Sequence, residues 1–89
     1  MMILAVFRSR THSLDYGQRL QSHGINATIV SAPKEAKIGC GVCVRFEERV
    51  FLRAQAVLKI GNYSSFKGFY KIEYFGEQMR ISPYKHPAP

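Results

Sequence analysis

Ala32-Pro33-Lys34-Glu35-Ala36-Lys37-Ile38-Gly39-Cys40-Gly41-Val42-Cys43-Val44-Arg45-Phe46 is the stretch around which the rest of the chain is ordered. Pro33 ends the strand before it, because proline cannot donate to a central ladder. From Val42 onward the residues alternate, with Val42, Val44 and Phe46 on one side and Cys43 and Arg45 on the other. That period of two predicts a strand. Between the two strands lies a lysine-bearing loop in which Gly39 and Gly41 flank Cys40. Such a loop is suited to presenting a thiol at a strand entrance.

Working outward, Ile25–Ser31 carries Thr28, Ile29 and Val30 and reads as the strand that Ala32 and Pro33 terminate. A helix over roughly Thr11 to His23 precedes it, capped by Ser9 or Thr11 and ended by Gly24. Leu14, Gly17 and Leu20 fall three apart on its apolar side. Gly17 costs about 1 kcal/mol of helix propensity relative to alanine, and the expected return is a close approach of helix to sheet. Ile3–Phe7 is a short buried strand. Downstream, Glu47 and Glu48 sit where a helix N-terminus favours negative charge. The helix runs to about Lys59 with Val50, Phe51, Ala54, Val57 and Leu58 on its apolar side, and Gly61 closes it. Lys67–Tyr74 is a last strand, with Tyr70 and Ile72 opposite Phe69 and Lys71.

The order β-α-β-β-α-β predicts an α+β domain of the ferredoxin-like split βαβ kind. That is an antiparallel four-stranded sheet with two helices on one face. Residues 1–74 form the domain, and 75–89 read as a polar, proline-bearing tail, frayed or laid on the surface.

A chain of 89 residues makes one small domain, near the size where a single core only just suffices. Its 46% hydrophobic and 21% charged content place it with folded rather than disordered chains. Thirteen basic against six acidic residues give a net charge of +7, which favours an acidic partner: nucleic acid, an acidic protein face or an anionic substrate. Arg8 and Arg10 follow the apolar opening rather than precede it, the reverse of a secretory signal, and no apolar run reaches membrane-span length. The expected setting is the cytoplasm, with reduced thiols and no membrane association.

The loop and its surroundings resemble the small selenium/sulfur carrier-like domains. The resemblance rests on Pro33-Lys34-Glu35 followed by Cys40-Gly41-x-x-x-Arg45-Phe46. An opening strand ending in Phe7, a helix with Leu14 and Leu20, the Gly24-Ile25 turn and Gly68-Phe69-Tyr70-Lys71-Ile72 extend it to about Ile72. It departs in Gly39, where small polar residues are more usual, and in the tail after Tyr74. The resemblance implies that Cys40 carries sulfur or selenium as a persulfide-type adduct, exchanged with a cysteine desulfurase or another sulfur- or selenium-transfer protein.

Chemically, a carrier thiol must be reachable and partly ionised. Lys34, Lys37 and Arg45 are the cations available to steady a Cys40 thiolate, and Glu35 is expected to anchor the loop. Gly39 and Gly41 leave room for another backbone to approach. The opposing reading is that Cys40 is simply a small buried hydrophobe. Cys43 lies in the strand proper, and an extended run puts its Cα about 10 Å from that of Cys40. A disulfide needs about 7 Å or less, so pairing requires a turn at Gly41-Val42. Thioredoxin-type chemistry also calls for a helix N-terminus that the motif itself lacks.

No metal or cofactor is expected. Two cysteines and three scattered histidines, His12, His23 and His86, do not assemble four ligands, and the histidines read as solvent-facing. Nor does any serine sit in a nucleophile elbow. Two further classes stay open. Lys67–Tyr74 partly echoes an RNA-recognition strand in which Phe69 would stack on a base, although Lys71 replaces the second aromatic. Alternatively, a sheet face carrying Phe69 and Cys43 would suit a homodimer or another interaction module.

Overall fold

The computed structural model describes residues 1–34 and 39–87. Its elements are β1 (Met2–Phe7), α1 (Arg10–Ser22), β2 (Ala27–Ser31), β3 (Val42–Glu47), a 3-10 turn (Glu48–Val50), α2 (Phe51–Gly61), β4 (Phe66–Phe75) and β5 (Gln78–Pro83). The strands form one sheet in the order β2-β3-β1-β4-β5, and every neighbouring pair is antiparallel.

The expected four-stranded, ferredoxin-like sheet is therefore corrected to five strands. Residues 75–83 do not trail away as a tail. Phe75 completes β4, Gly76 turns with φ +63°, and β5 returns in register, with Ile81 opposite Ile72 and Met79 opposite Tyr74. The chain is then pinned beyond the sheet. The Tyr84 hydroxyl donates to Glu48 Oε2 at 2.7 Å, and the Tyr84 and His86 rings pack on Phe51. The sequence signal was thin because β5 carries only Met79 and Ile81 as large apolar residues, on one side of a short edge strand.

Both helices lie on one face, over Ile3, Ala5, Phe7, Val44 and Phe46. Ser9 caps α1 by accepting the His12 N–H at 3.2 Å. The buried side of α1 is Ser13, Tyr16, Gly17 and Leu20, while Leu14 turns outward, 36% exposed. Tyr16, rather than Leu14, is the core residue because its ring fills the space beside Phe7 and its hydroxyl donates to the Ala54 carbonyl at 2.7 Å. That bond ties α1 to α2, and burial pushes the Tyr16 phenol above its ordinary range.

Gly17 behaves as its position suggested. A Cβ there would fall 2.5 Å from Ile29 Cγ1 and 2.8 Å from Ile29 Cδ1, so the helix backbone rests directly on β2. At the end of α2, Asn62 takes the left-handed conformation, φ 51°, and Gly61 remains helical against the Tyr63 ring. Asn62 thus performs the capping role expected of Gly61.

The opposite face of the sheet carries no helix. Leu4, Val6, Cys43 and Ile72 form its centre, with Met2, Val30, Tyr70, Met79 and Ile81 around them. Arg45 shares this face, paired across the ladder with Leu4 and Thr28. Phe69 does not. It lies on the helix-covered side between Phe46, Phe51 and Phe66, where it cannot stack on a base or share a dimer face with Cys43. Among the described residues, no helix is long and apolar enough to cross a membrane.

The seat of Gly17 yields a quantitative expectation. At an exposed helical position, glycine to alanine stabilises by about 1 kcal/mol. Here Gly17→Ala should instead destabilise, by about 1–3 kcal/mol in urea unfolding, because the new methyl overpacks Ile29. Ile29→Ala in the same chain should recover part of that loss, so the two effects are not additive.

Candidate functional site

Cys40 sits where three elements meet at one end of the sheet. Its N–H donates to the carbonyl of Phe7, the last residue of β1, at 3.1 Å. The Ala32 N–H donates to the Gly41 carbonyl at 2.8 Å, closing the loop's two ends across β2 and β3. Gly39 and Gly41 both have left-handed φ, +83° and +89°, a conformation that costs other residues roughly 1–2 kcal/mol. Their needs differ beyond that. A Cβ at Gly39 would meet Val6 Cγ1 at 2.7 Å and the Phe7 oxygen at 2.8 Å, whereas a Cβ at Gly41 meets open space. Gly39 is therefore a packing requirement, and the space beside Gly41 is available to an incoming group.

The Cys40 thiol is half-buried and turned toward α1. Its Sγ lies 3.6 Å from Ser13 Oγ and 3.4 Å from the Val42 carbonyl oxygen. Ser13 Oγ donates to that same carbonyl at 3.0 Å. Ser13 is fully buried, and its N–H donates to the carbonyl of the cap residue Ser9, so the sulfur lies beside the opening turns of a helix. The motif alone does not contain such a helix terminus; the fold supplies it from a segment 27 residues away. Ser13 is the residue beside the thiol that sequence reasoning missed. Its signal was a serine on the same stripe as Gly17 and Leu20, at i, i+4 and i+7 of a helix whose stripe is otherwise apolar or glycine.

A second polar group adjoins this one. His12 Nδ1 is 2.6 Å from Ser65 Oγ, which also accepts the Ser9 N–H at 3.3 Å. His12 is thus engaged with the loop before β4 and with the Tyr63 ring, and His86 stacks on Phe51, so neither simply faces solvent as expected. A shallow depression on the outer side of α1, lined by Asp15, Gln18, Arg19, Ser22 and His23, does not include Cys40.

The sequence-selected residues separate into groups. Lys34, Gly39 and Gly41 accompany Cys40 at the loop, with Lys34 exposed. Glu35 and Lys37 lie outside the described residues. Arg45 faces Cys43 on the helix-free side of the sheet, while Cys40 Sγ faces α1. The Arg45 Nε is buried and has no hydrogen-bond partner among the described residues. Both cysteines are free thiols. Cys43 is 1% exposed, and burial pushes its thiol up to about 11, with Cys40 adding to the rise and Arg45 opposing it.

The chain matches, over residues 2–71, the model of the family described as "Putative Se/S carrier protein-like". It belongs to that family. The matched span runs from β1 into β4 and includes Cys40, Cys43 and Ser13; β5 lies beyond it. No curated protein and no solved structure matches the chain.

Cys43 makes two measurable statements. A cysteine in an unfolded chain ionises near pH 8.5, whereas folded Cys43 holds its proton to about pH 11. Between those values the folded state binds more protons, so stability falls as pH rises. Urea titrations from about pH 8 to about pH 9, a full unit below ordinary tyrosine ionisation, should show the onset of that fall, and Cys43→Ala should reduce it. Iodoacetamide at neutral pH should alkylate Cys40 in the native protein and reach Cys43 only in denaturant.

Proposed function

We propose that this chain is a sulfur or selenium carrier in which Cys40 holds the cargo as a persulfide-type adduct and hands it to a partner protein. Family membership supports the class of function. The observation that carries the assignment to Cys40 is the division of labour between the two thiols. Cys43 is closed into the sheet, whereas Cys40 sits in a glycine turn at a strand entrance with open space beside Gly41.

In this reading the loading step is an exchange at sulfur. The Cys40 thiolate attacks the outer sulfur of a donor's persulfide, forming a new S–S bond on Cys40 as the donor's S–S bond breaks. The donor cysteine leaves as a thiolate. One sulfane sulfur moves and no external oxidant or reductant is required. A cysteine desulfurase or another sulfur- or selenium-transfer protein is the donor, and the reducing cytoplasm keeps unloaded Cys40 as a thiol.

Ser13 has the geometry to serve both ends of that exchange. While Cys40 is protonated, the single Ser13 hydroxyl proton goes to the Val42 carbonyl, and its oxygen is left to accept the S–H. When Cys40 is a thiolate, the same hydroxyl can turn from the carbonyl to the sulfur. Hydrogen bonds to an ionised partner are the stronger ones, so the turned hydroxyl holds the attacking sulfur in place. The opening turns of α1 add dipoles of the right sign. Lys34 contributes a nearby exposed cation, and Arg45 acts through Cys43 rather than on Cys40.

The test is intact-mass spectrometry after incubation with a cysteine desulfurase and cysteine. The wild type and Cys43→Ala should each gain one sulfur that a reductant removes, and Cys40→Ser should gain none. An unchanged wild-type mass would end the proposal.

A further inference from the structure

The strand registers place the charges unevenly along the molecule. Cys40 hydrogen-bonds to Phe7, Phe7 pairs with Phe66, and Arg8 donates to the Ser65 carbonyl, so these residues share one end of the sheet. At that end stand Arg8, Arg10, Lys34 and Lys67, all exposed, with Lys59 in the last turn of α2. Among the described residues the acids lie elsewhere. Met2 pairs with Glu47 and with Ile72, and the Met1 carbonyl accepts the Glu48 N–H, which sets Glu47, Glu48 and Glu73 at the opposite end, with Glu77 beyond β4. Asp15, the acid nearest Cys40 among the described residues, is engaged by Arg19 at 3.5 Å and by the Tyr63 hydroxyl.

Two apolar features decide what such a surface fits. Ile60, also in the last turn of α2, is 67% exposed, a branched aliphatic side chain beside the cationic group. The exposed aromatics Tyr74 and Phe75 are at the acidic end, while Phe66 and Phe69 are packed among other rings. A single-stranded nucleic acid needs a cationic track and stacking rings together. Here the exposed rings lie far from the cations around Cys40, and the cation beside them, Arg80, covers the Phe75 ring at 4.9 Å. Cations that share one end of the sheet with an exposed aliphatic side chain instead match a protein surface with an apolar contact and acidic groups beside it.

We propose that the end of the sheet bearing Cys40 is a docking surface for an acidic protein face, organised by Arg8, Arg10, Lys34, Lys59 and Lys67 with Ile60 as an apolar contact. The inference rests on the carrier reading for the partner's role, and it names that partner's chemistry. Delivery to Cys40 is then steered by charge, with the thiol at the centre of the approach.

The test uses thiol–disulfide exchange, which requires no sulfur carriage. Two synthetic peptides of equal length carry the same activated disulfide and leucines, one flanked by glutamates and the other by lysines. At low salt Cys40 should react about tenfold faster with the acidic peptide, and the preference should shrink as ionic strength rises. The variant R8E/R10E/K67E should abolish or invert the preference. The variant R49E/R53E/R80E makes the same change in net charge at other positions and should keep it. Equal loss in both variants would show a global charge effect and overturn the proposal, as would no preference in the wild type. Protection of Cys40 by an unstructured oligonucleotide as effective as that by the acidic peptide would also overturn it. A small uncharged persulfide donor that loads Cys40 equally in all variants separates failed docking from failed carriage.

Discussion

The close seat of α1 on the sheet at Gly17 is the constraint from which the site follows. Because Gly17 has no side chain, the helix backbone comes down onto Ile29, and one turn earlier Ser13 reaches the β3 entrance. That reach brings the hydroxyl to the Val42 carbonyl and to the Cys40 sulfur together. A helix held farther off by one methyl would leave the carbonyl and thiol facing an unfilled gap. The same seating turns Tyr16 inward, where its bond to Ala54 fixes α1 against α2.

From that arrangement the two cysteines acquire opposite characters, although only two residues separate them. β3 is a strand, so Cys43 faces the helix-free side and is enclosed by Leu4, Val6 and Ile72. Cys40 precedes the strand, in a turn where Gly39 fits under the Phe7 carbonyl, and its sulfur swings to the helix side. Burial resists ionisation of the Cys43 thiol, whereas Cys40 stands half-buried beside the opening turns of α1, within reach of the Ser13 hydroxyl. The sheet thereby encloses one cysteine and leaves the other half-buried at its end.

Much of this was legible in the sequence because it depends on local rules. Alternation from Val42 to Phe46, the Ser9 cap, Gly24 after the helix and the paired glycines around Cys40 each have a short-range cause. What was not legible depends on partners distant in sequence. β5 becomes a strand only because β4 offers it an edge, and Phe69 turns inward because Phe46, Phe51 and Phe66 surround it. Tyr16 takes the buried place expected of Leu14 for a similar reason: Phe7 and α2 select the side of α1 that carries the larger ring. The place of Ser13 on the buried stripe of α1 has a sequence signal, but its pairing with a sulfur 27 residues away does not.

The central claim is that Cys40 alone accepts and holds the transferred atom. Peptide mapping of the protein after exposure to a persulfidated cysteine desulfurase locates that atom directly. The account predicts a reductant-labile added sulfur on the peptide containing Cys40 and an unmodified Cys43. An added sulfur on Cys43, or on neither residue while the donor persulfide persists, would contradict it.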